Sequence, residues 1–508
     1  MTNSFVLKAG VALFALAAAP AFAQQPAPAA TPAADGTIPD HPAGYDSGSG
    51  LDDLAPADTA APADAAAPAS TGNAILDRLN ALEAQVRALQ ARNAELESKV
   101  GATTDRVERV EVRAARGVQP GVAPTFADIT GDTFTFHPRG VFEVDAAMYN
   151  ERKGGYDYNN GTSLRRGRFG FDGTFLHDFR YRLEAEFVGQ QANILDAYVQ
   201  WVPSAKWLVT LGQHKAPYGL EANTSDNYNT FLERSMGSNT FGSIGAERRI
   251  GASISYVTDK LNAQVGFFGS PESITRAAGG PDETYGVNGR VTWDPVLEPD
   301  KLIHLGASGY WVTNLSSGAT QNAARLSERP NSRVDGGVIV DTGVIPNVQN
   351  ASYVGVEGAL VYQRFSVQGE YGHLSVDRTG ILPSAHFDGY NIFGSIFLTG
   401  ESRTFKNGVV DRLKPFNNFS PKTGHWGAFE VALRYDRLDL GDTPVVARVG
   451  SDADSITAAL NWYLTPNLKV MFNYIRFHGD NSPLVVTPAI NGTHASGDTL
   501  ATRLHLDF

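Results

Sequence analysis

From residue 133 to the closing Phe508, apolar side chains recur at every second position in one short run after another. Leu195, Ala197, Val199 and Trp201 alternate with Asp196, Tyr198 and Gln200. Phe429, Val431, Leu433 and Tyr435 alternate with Glu430, Ala432, Arg434 and Asp436, and Ile456, Ala458, Leu460, Trp462 and Leu464 alternate with smaller or more polar groups. Successive side chains of an extended chain point to opposite faces, so a period of two specifies strands with one apolar and one polar face. A soluble sandwich buries the apolar face in a core. A closed barrel in a membrane turns that face to lipid and the polar face to a wet lumen, and closure leaves no edge strand exposed. The final ATRLHLDF divides the same way, with Leu504, Leu506 and Phe508 on one face and Arg503, His505 and Asp507 on the other.

The N-terminal residues favour the barrel. Lys8 precedes an apolar run over residues 9–19 and a small-x-small site, Ala21-Phe22-Ala23, so residues 1–23 read as a signal peptide and the mature chain begins near Gln24, outside the cytoplasm. No later stretch approaches the roughly 18 to 20 uninterrupted apolar residues of a spanning helix. The 508 residues include no cysteine, so disulfides do not stabilise the fold. A net charge of −12 opposes a nucleic-acid partner. It says little about a channel, where the charge at the constriction governs.

Residues 24–72 are rich in Ala, Pro and Asp and read as a disordered linker. Over residues 73–116 the period becomes heptad: Ile75, Leu79, Leu82, Val86, Leu89, Asn93, Leu96 and Val100 recur at alternating spacings of four and three. Arg78 with Glu83, Arg92 with Glu97 and Arg106 with Glu111 fall at g and following e positions, where they bridge parallel chains. This predicts a periplasmic coiled coil, taken as a parallel trimer; a single amphipathic helix lying on a neighbouring domain is the alternative. Residues 117–132 form a second linker, and residues 133–508 the barrel. At about 23 residues per strand and connection, the barrel segment predicts about 16 antiparallel strands. Tight turns such as Thr465-Pro466-Asn467 fall at one end and long loops, around 222–245, 314–350 and 480–498, at the other. Trp201, Trp207, Trp462 and Tyr463 suit interfacial aromatic girdles.

Several stretches, in order along the barrel, resemble the phosphate-selective porin O/P family: LRRGRFGFDGTFLHDFRYRLEAEF (164–187), LDAYVQWVPSAKWLVTLGQHKAPYGLE (195–221), FLERS (231–235), FLTGE (397–401), GAFEVALRYDRLDL (427–440), LNWYLTPNLKVMFNYI (460–475) and the terminal RLHLDF. The resemblance implies a trimeric 16-stranded outer-membrane barrel, each protomer with a pore narrowed by inward-folded loops and lined by basic residues that attract phosphate. Arg165 and Arg166 match the family's arginine pair, and Asp196 an acidic pore position. The segment 215–249 is similar to the constriction-loop region and contributes Lys215, Glu221, Glu233, Arg234, Arg248 and Arg249. The sequence departs from the family at Trp311 and Val312, and at His386, where phosphate-specialised members carry basic residues. For barrels of this class the terminal aromatic strand, with Leu504, Leu506 and Phe508, implies recognition by the barrel-assembly machinery.

Residue chemistry supplies a rationale beside the resemblance. An anion that sheds water needs charge-assisted donors, and arginine offers a planar fork that stays protonated. Arg166 and Arg168 share one face of a strand, with Arg165 on the opposite face unless the chain turns there. The expected anion set is Arg165, Arg166, Arg168, Lys215, Arg234, Arg248 and Arg249. Contacts of the first three to lipopolysaccharide phosphates at the rim, and a structural salt-bridge role for Arg248 and Arg249, remain the alternatives. Neither an H-E-x-x-H spacing nor a G-x-S-x-G elbow occurs, so no metal, cofactor or catalysis is expected. The partners expected are copies of the chain, outer-membrane lipids and small anions such as phosphate. Two other readings are a general diffusion porin and a tether that reaches peptidoglycan through the coiled coil.

Overall fold

The computed structural model describes residues 129–508 except 131–132, 190–191, 272–281, 443–450, 487 and 489–491. The expected signal peptide, linkers and coiled coil lie outside the described residues, apart from a short strand, Ile129–Thr130, that pairs with the start of the barrel.

Sixteen long strands form the barrel: β1 (Thr135–Lys153), β2 (Gly161–Phe175), β3 (Phe179–Glu186), β4 (Asn193–Trp201), β5 (Trp207–Lys215), β6 (Arg248–Val257), β7 (Leu261–Phe268), β8 (Tyr285–Glu298), β9 (Lys301–Thr313), β10 (Val348–Tyr362), β11 (Phe365–Arg378), β12 (Ala385–Phe397), β13 (Ala428–Asp439), β14 (Asp452–Tyr463), β15 (Leu468–Asp480) and β16 (His494–Asp507). Each pairs antiparallel with the next, and β16 closes on β1 with Val141 opposite Asp507 and Phe142 opposite Leu506. Closure satisfies every edge, as a spanning sheet must. Phe508 exchanges both backbone hydrogen bonds with Gly140 at 3.1 Å. A side chain at Gly140 would collide with the Phe508 ring, 2.4 Å from the nearest ring carbon.

The alternation sorts by face as expected. Leu433, Leu460, Leu506 and Phe508 are exposed on the outside, while Arg434, Asn461, Arg503, His505 and Asp507 are buried towards the lumen. The outer face carries many exposed apolar side chains, among them Leu211, Val265, Phe267, Val354, Val356 and Ile392. Apolar exposure of that extent is stable against lipid rather than water. Trp201 and Trp207 face outward at strand ends, and Trp462 donates to the Trp426 carbonyl. Tyr463 departs from the expected girdle: it sits one position out of phase with Trp462, points inward, and donates to Glu430 at 2.8 Å.

The hydrophobic core lies inside the barrel, where loops from the long-loop end pack against the wall. The β5–β6 connection, residues 216–247, folds inward through α1 (Leu220–Asn223) and α2 (Met236–Gly245), with Ser235 capping α2. Tyr218, Met236 and Phe241 pack with Tyr310, Tyr353 and Phe387 of the wall. Tyr310 donates to the Phe241 carbonyl at 2.7 Å. Backbones approach closely where α2 crosses β12, since a Cβ on Gly389 would come within 3.1 Å of Gly237 Cα. The β9–β10 loop, residues 314–347, also enters, and Asn331 donates to Asp436 and Ser455.

The expected segregation of turns and loops has one exception. Residues 398–427, between β12 and β13, lie at the short-turn end and fold into the lumen from that side. Arg403 bonds Ser366, Ser395 and Glu430; Arg412 reaches Asp507 and the Pro466 carbonyl; and Val410 N donates to Thr224 of the inward loop. The sequence does not announce this entry, because loop length and composition do not say on which side of the sheet a connection packs.

Candidate functional site

The β5–β6 loop meets the wall where β1, β2 and β16 come together. Strand β2 is not regular there. Glu143 opposes Arg166 while Val144 opposes Leu164, which leaves Arg165 as the extra residue of a β-bulge. A bulge re-aims a side chain that the pleat would otherwise send to the other face. Arg165, Arg166 and Arg168 therefore all reach the inward loop, which a regular strand forbids.

Two loop carboxylates gather the guanidiniums. Asp226 receives Arg168 at 2.7 Å, Arg234 at 2.5 Å and Arg166 at 3.4 Å. Glu233 accepts two bonds from Arg165, at 2.7 and 2.9 Å, and one from Arg503 at 2.9 Å, with Arg333 of the β9–β10 loop 3.7 Å away. Burial pushes both carboxyls up, but the arginines prevail and hold them well below the usual range: Arg166, Arg234 and Arg168 at Asp226, Arg165 and Arg503 at Glu233. The wall completes the network. Arg166 pairs with Glu143, Arg168 with Glu186, and Arg503 with Asp145.

The other expected residues lie around this centre. Asp196 pairs with Arg248 at 2.8 Å and with Arg182 at 3.7 Å. Lys215 donates to the Ala222 and Thr224 carbonyls at 2.6 and 3.3 Å, and Arg234 donates to the Glu221 and Thr224 carbonyls. Arg249, buried, donates to the carbonyls of Gly269, Ile244 and Thr284. Sequence reasoning missed Arg503, Arg434, Lys469, Arg333, Arg403 and Arg412. The first three carry a legible signal, a basic residue at an inward position of an alternating strand. The last three enter on loops and have none. Arg403, Arg412 and Lys469, with Tyr228 and His505, line a small cleft on the short-turn side of the loop.

Each guanidinium is matched by a carboxylate or carbonyl, yet the match is incomplete at the lumen. Arg165 keeps 25% of its side-chain surface exposed and Arg333 24%, against 4% for Arg166. The arrangement supplies directed N–H groups on side chains that stay partly exposed. It holds the loop firmly, because removing one partner of a buried pair strands the other.

Comparison with known proteins places this architecture. Residues 136–508 match the profile of the family described as phosphate-selective porin O and P. An uncharacterised protein of Caulobacter vibrioides is 28% identical over 468 residues, 85% of this chain and 91% of that one. Porin O of Pseudomonas aeruginosa is 26% identical over 411 residues, 75% of this chain and 90% of that one. Among solved structures, OmpT of Vibrio cholerae covers 75% of this chain and all of its own length at 11% identity and TM-score 0.47. The family match covers the whole barrel, and the chain belongs to the phosphate-selective porin O and P family.

Proposed function

We propose that this chain is an outer-membrane porin that passes small anions, phosphate foremost, by passive diffusion through the constriction around the β5–β6 loop. The observation that carries the reading is the convergence of Arg165, Arg166, Arg168, Arg234, Arg333 and Arg503 on Asp226 and Glu233, with Arg165 and Arg333 still facing the lumen. An anion entering there exchanges hydration for charge-assisted bonds. The carboxylates share the same guanidiniums and keep that binding weak, which release requires. In this reading Lys215, Arg248 and Arg249 anchor the loop and wall, and Asp226 and Glu233 set the strength of the site. Assembly as a homotrimer, a periplasmic coiled coil and recognition of the terminal strand by the assembly machinery belong to the same proposal.

A second reading, a general diffusion porin, is favoured by the near balance of guanidiniums and carboxylates. The reversal potential of the purified protein in a planar bilayer under a KCl gradient, repeated with phosphate, separates the two. Anion selectivity with chloride current reduced by phosphate, both weakened in Arg165→Ala, is expected. Cation selectivity refutes the anion reading, and an anion current indifferent to phosphate refutes the preference for phosphate and leaves a general porin.

A further inference from the structure

On the outer face, at the long-loop ends of β14, β15 and β16, backbone register assembles four groups that the pore does not use. His478 and Asp480 are two apart on β15 and share a face. His494 lies directly opposite Asp480 on β16, and Asp454 directly opposite His478 on β14. The residues that alternate with them, Phe477 and Gly479, are buried on the lumen side, so the four face outward.

Ligand atoms of His478, Asp480 and His494 all lie within 4.8 Å of one another. Nδ1 of His494 contacts Asp480, and Nε2 of His478 stands 3.7 Å from the same carboxylate oxygen. The other nitrogen of His478, Nδ1, stands 3.5 Å from Asp454. Metal-bound histidines are commonly oriented in this way, one ring nitrogen to the ion and the other to a carboxylate. The charges point the same way. Asp452 lies directly opposite Asp480, and Arg437 pairs with Asp452. Like charges opposite one another destabilise a sheet, and a cation between them relieves that repulsion.

A second imidazole pair on the same face shows the contrast. His373 bonds Asp388 at 3.0 Å, while Ser375 engages Nε2 of His373 and Nδ1 of His386 at 3.3 and 3.1 Å. A hydroxyl there occupies the nitrogens that a metal would need.

We propose that His478, Asp480 and His494 bind a divalent transition ion of the zinc class, with Asp454 orienting His478 and water completing the shell. Two imidazoles and one carboxylate suit zinc, copper or nickel, whereas magnesium and calcium prefer all-oxygen shells. Ligands of a tetrahedral zinc stand about 3.3 Å apart, so the set closes by small turns of half-exposed side chains. No sequence motif announces the site because its ligands meet only through the β15–β16 register.

The test uses untagged full-length protein in detergent micelles, with zinc measured by equilibrium dialysis and cobalt by its visible absorbance. One ion per chain and a tetrahedral cobalt spectrum are expected. His478→Ala and His494→Ala should each weaken zinc binding more than tenfold and abolish that spectrum. Asp454→Asn should weaken it roughly tenfold. Heat-modified migration on gels should match the wild type, since these side chains lie on the rim. Zinc binding unchanged in both histidine variants, or zinc displaced by equimolar magnesium, would overturn the proposal.

Discussion

Replacing Glu233 by Gln tests the arginine network most directly. Glu233 is 4% exposed and holds Arg165, Arg503 and, more distantly, Arg333. Losing its charge affects the three unequally. Arg503 keeps Asp145 at 2.7 Å and Glu143 at 3.3 Å, and Arg333 keeps Glu328 at 2.7 Å. Arg165 has no second carboxylate within ion-pair distance among the described residues, so its guanidinium becomes available to the lumen. An anion docked on its free edge sits on the order of 6 Å from the vanished charge, worth about 0.7 kcal/mol at the dielectric of water and about 2.8 kcal/mol at an effective dielectric of about 20. The corresponding gain in anion affinity is roughly threefold to a hundredfold. In a planar bilayer, Glu233→Gln should move the reversal potential further towards the anion value and lower the phosphate concentration that halves the chloride current. Single-channel conductance close to wild type would show that the loop has stayed in place. Adding Arg165→Ala should remove the gain, as expected for coupled residues. An unchanged reversal potential, or a gain that survives in the double variant, would refute the assignment of Arg165 to the anion path.

Three further outcomes follow. Arg412→Ala removes the tie from the 398–427 segment to Asp507 and the Pro466 carbonyl; single-channel conductance should rise, and that segment should become sensitive to protease. Burial pushes Glu328 up from 4.5 to about 7 against the pull of Arg333. The folded state therefore holds the proton more tightly, and its stabilisation, complete below about pH 4.5, is lost as pH rises through about 7. Hydrogen-exchange protection of residues 314–347, with the intrinsic pH dependence divided out, should fall across that window in the wild type and hold steady in Glu328→Gln. Deleting Phe508 removes both backbone bonds to Gly140; less folded barrel should reach the outer membrane, and normal yield would count against the terminal strand as an assembly signal.

The division between what was legible in the sequence and what was not follows the range of the interactions. Strand number, the inward and outward faces and the closing role of ATRLHLDF were legible, because the period of two is local and lipid outside a wet lumen forces the same choice on every strand. Inward arginines such as Arg434 and Arg503 were available from that parity as well. The bulge that turns Arg165 inward was not, because it depends on the register between β1 and β2. Nor was the entry of 398–427 from the short-turn end, since loop length and composition do not say on which side of the sheet a connection packs. The pairing of Arg165, Arg166, Arg168, Arg333 and Arg503 with Asp226 or Glu233 likewise joins residues far apart in the chain. The sequence by itself determined a barrel with a charged interior; the tertiary structure decided which charges neutralise one another, because bulges, register and inward-folded loops set those distances.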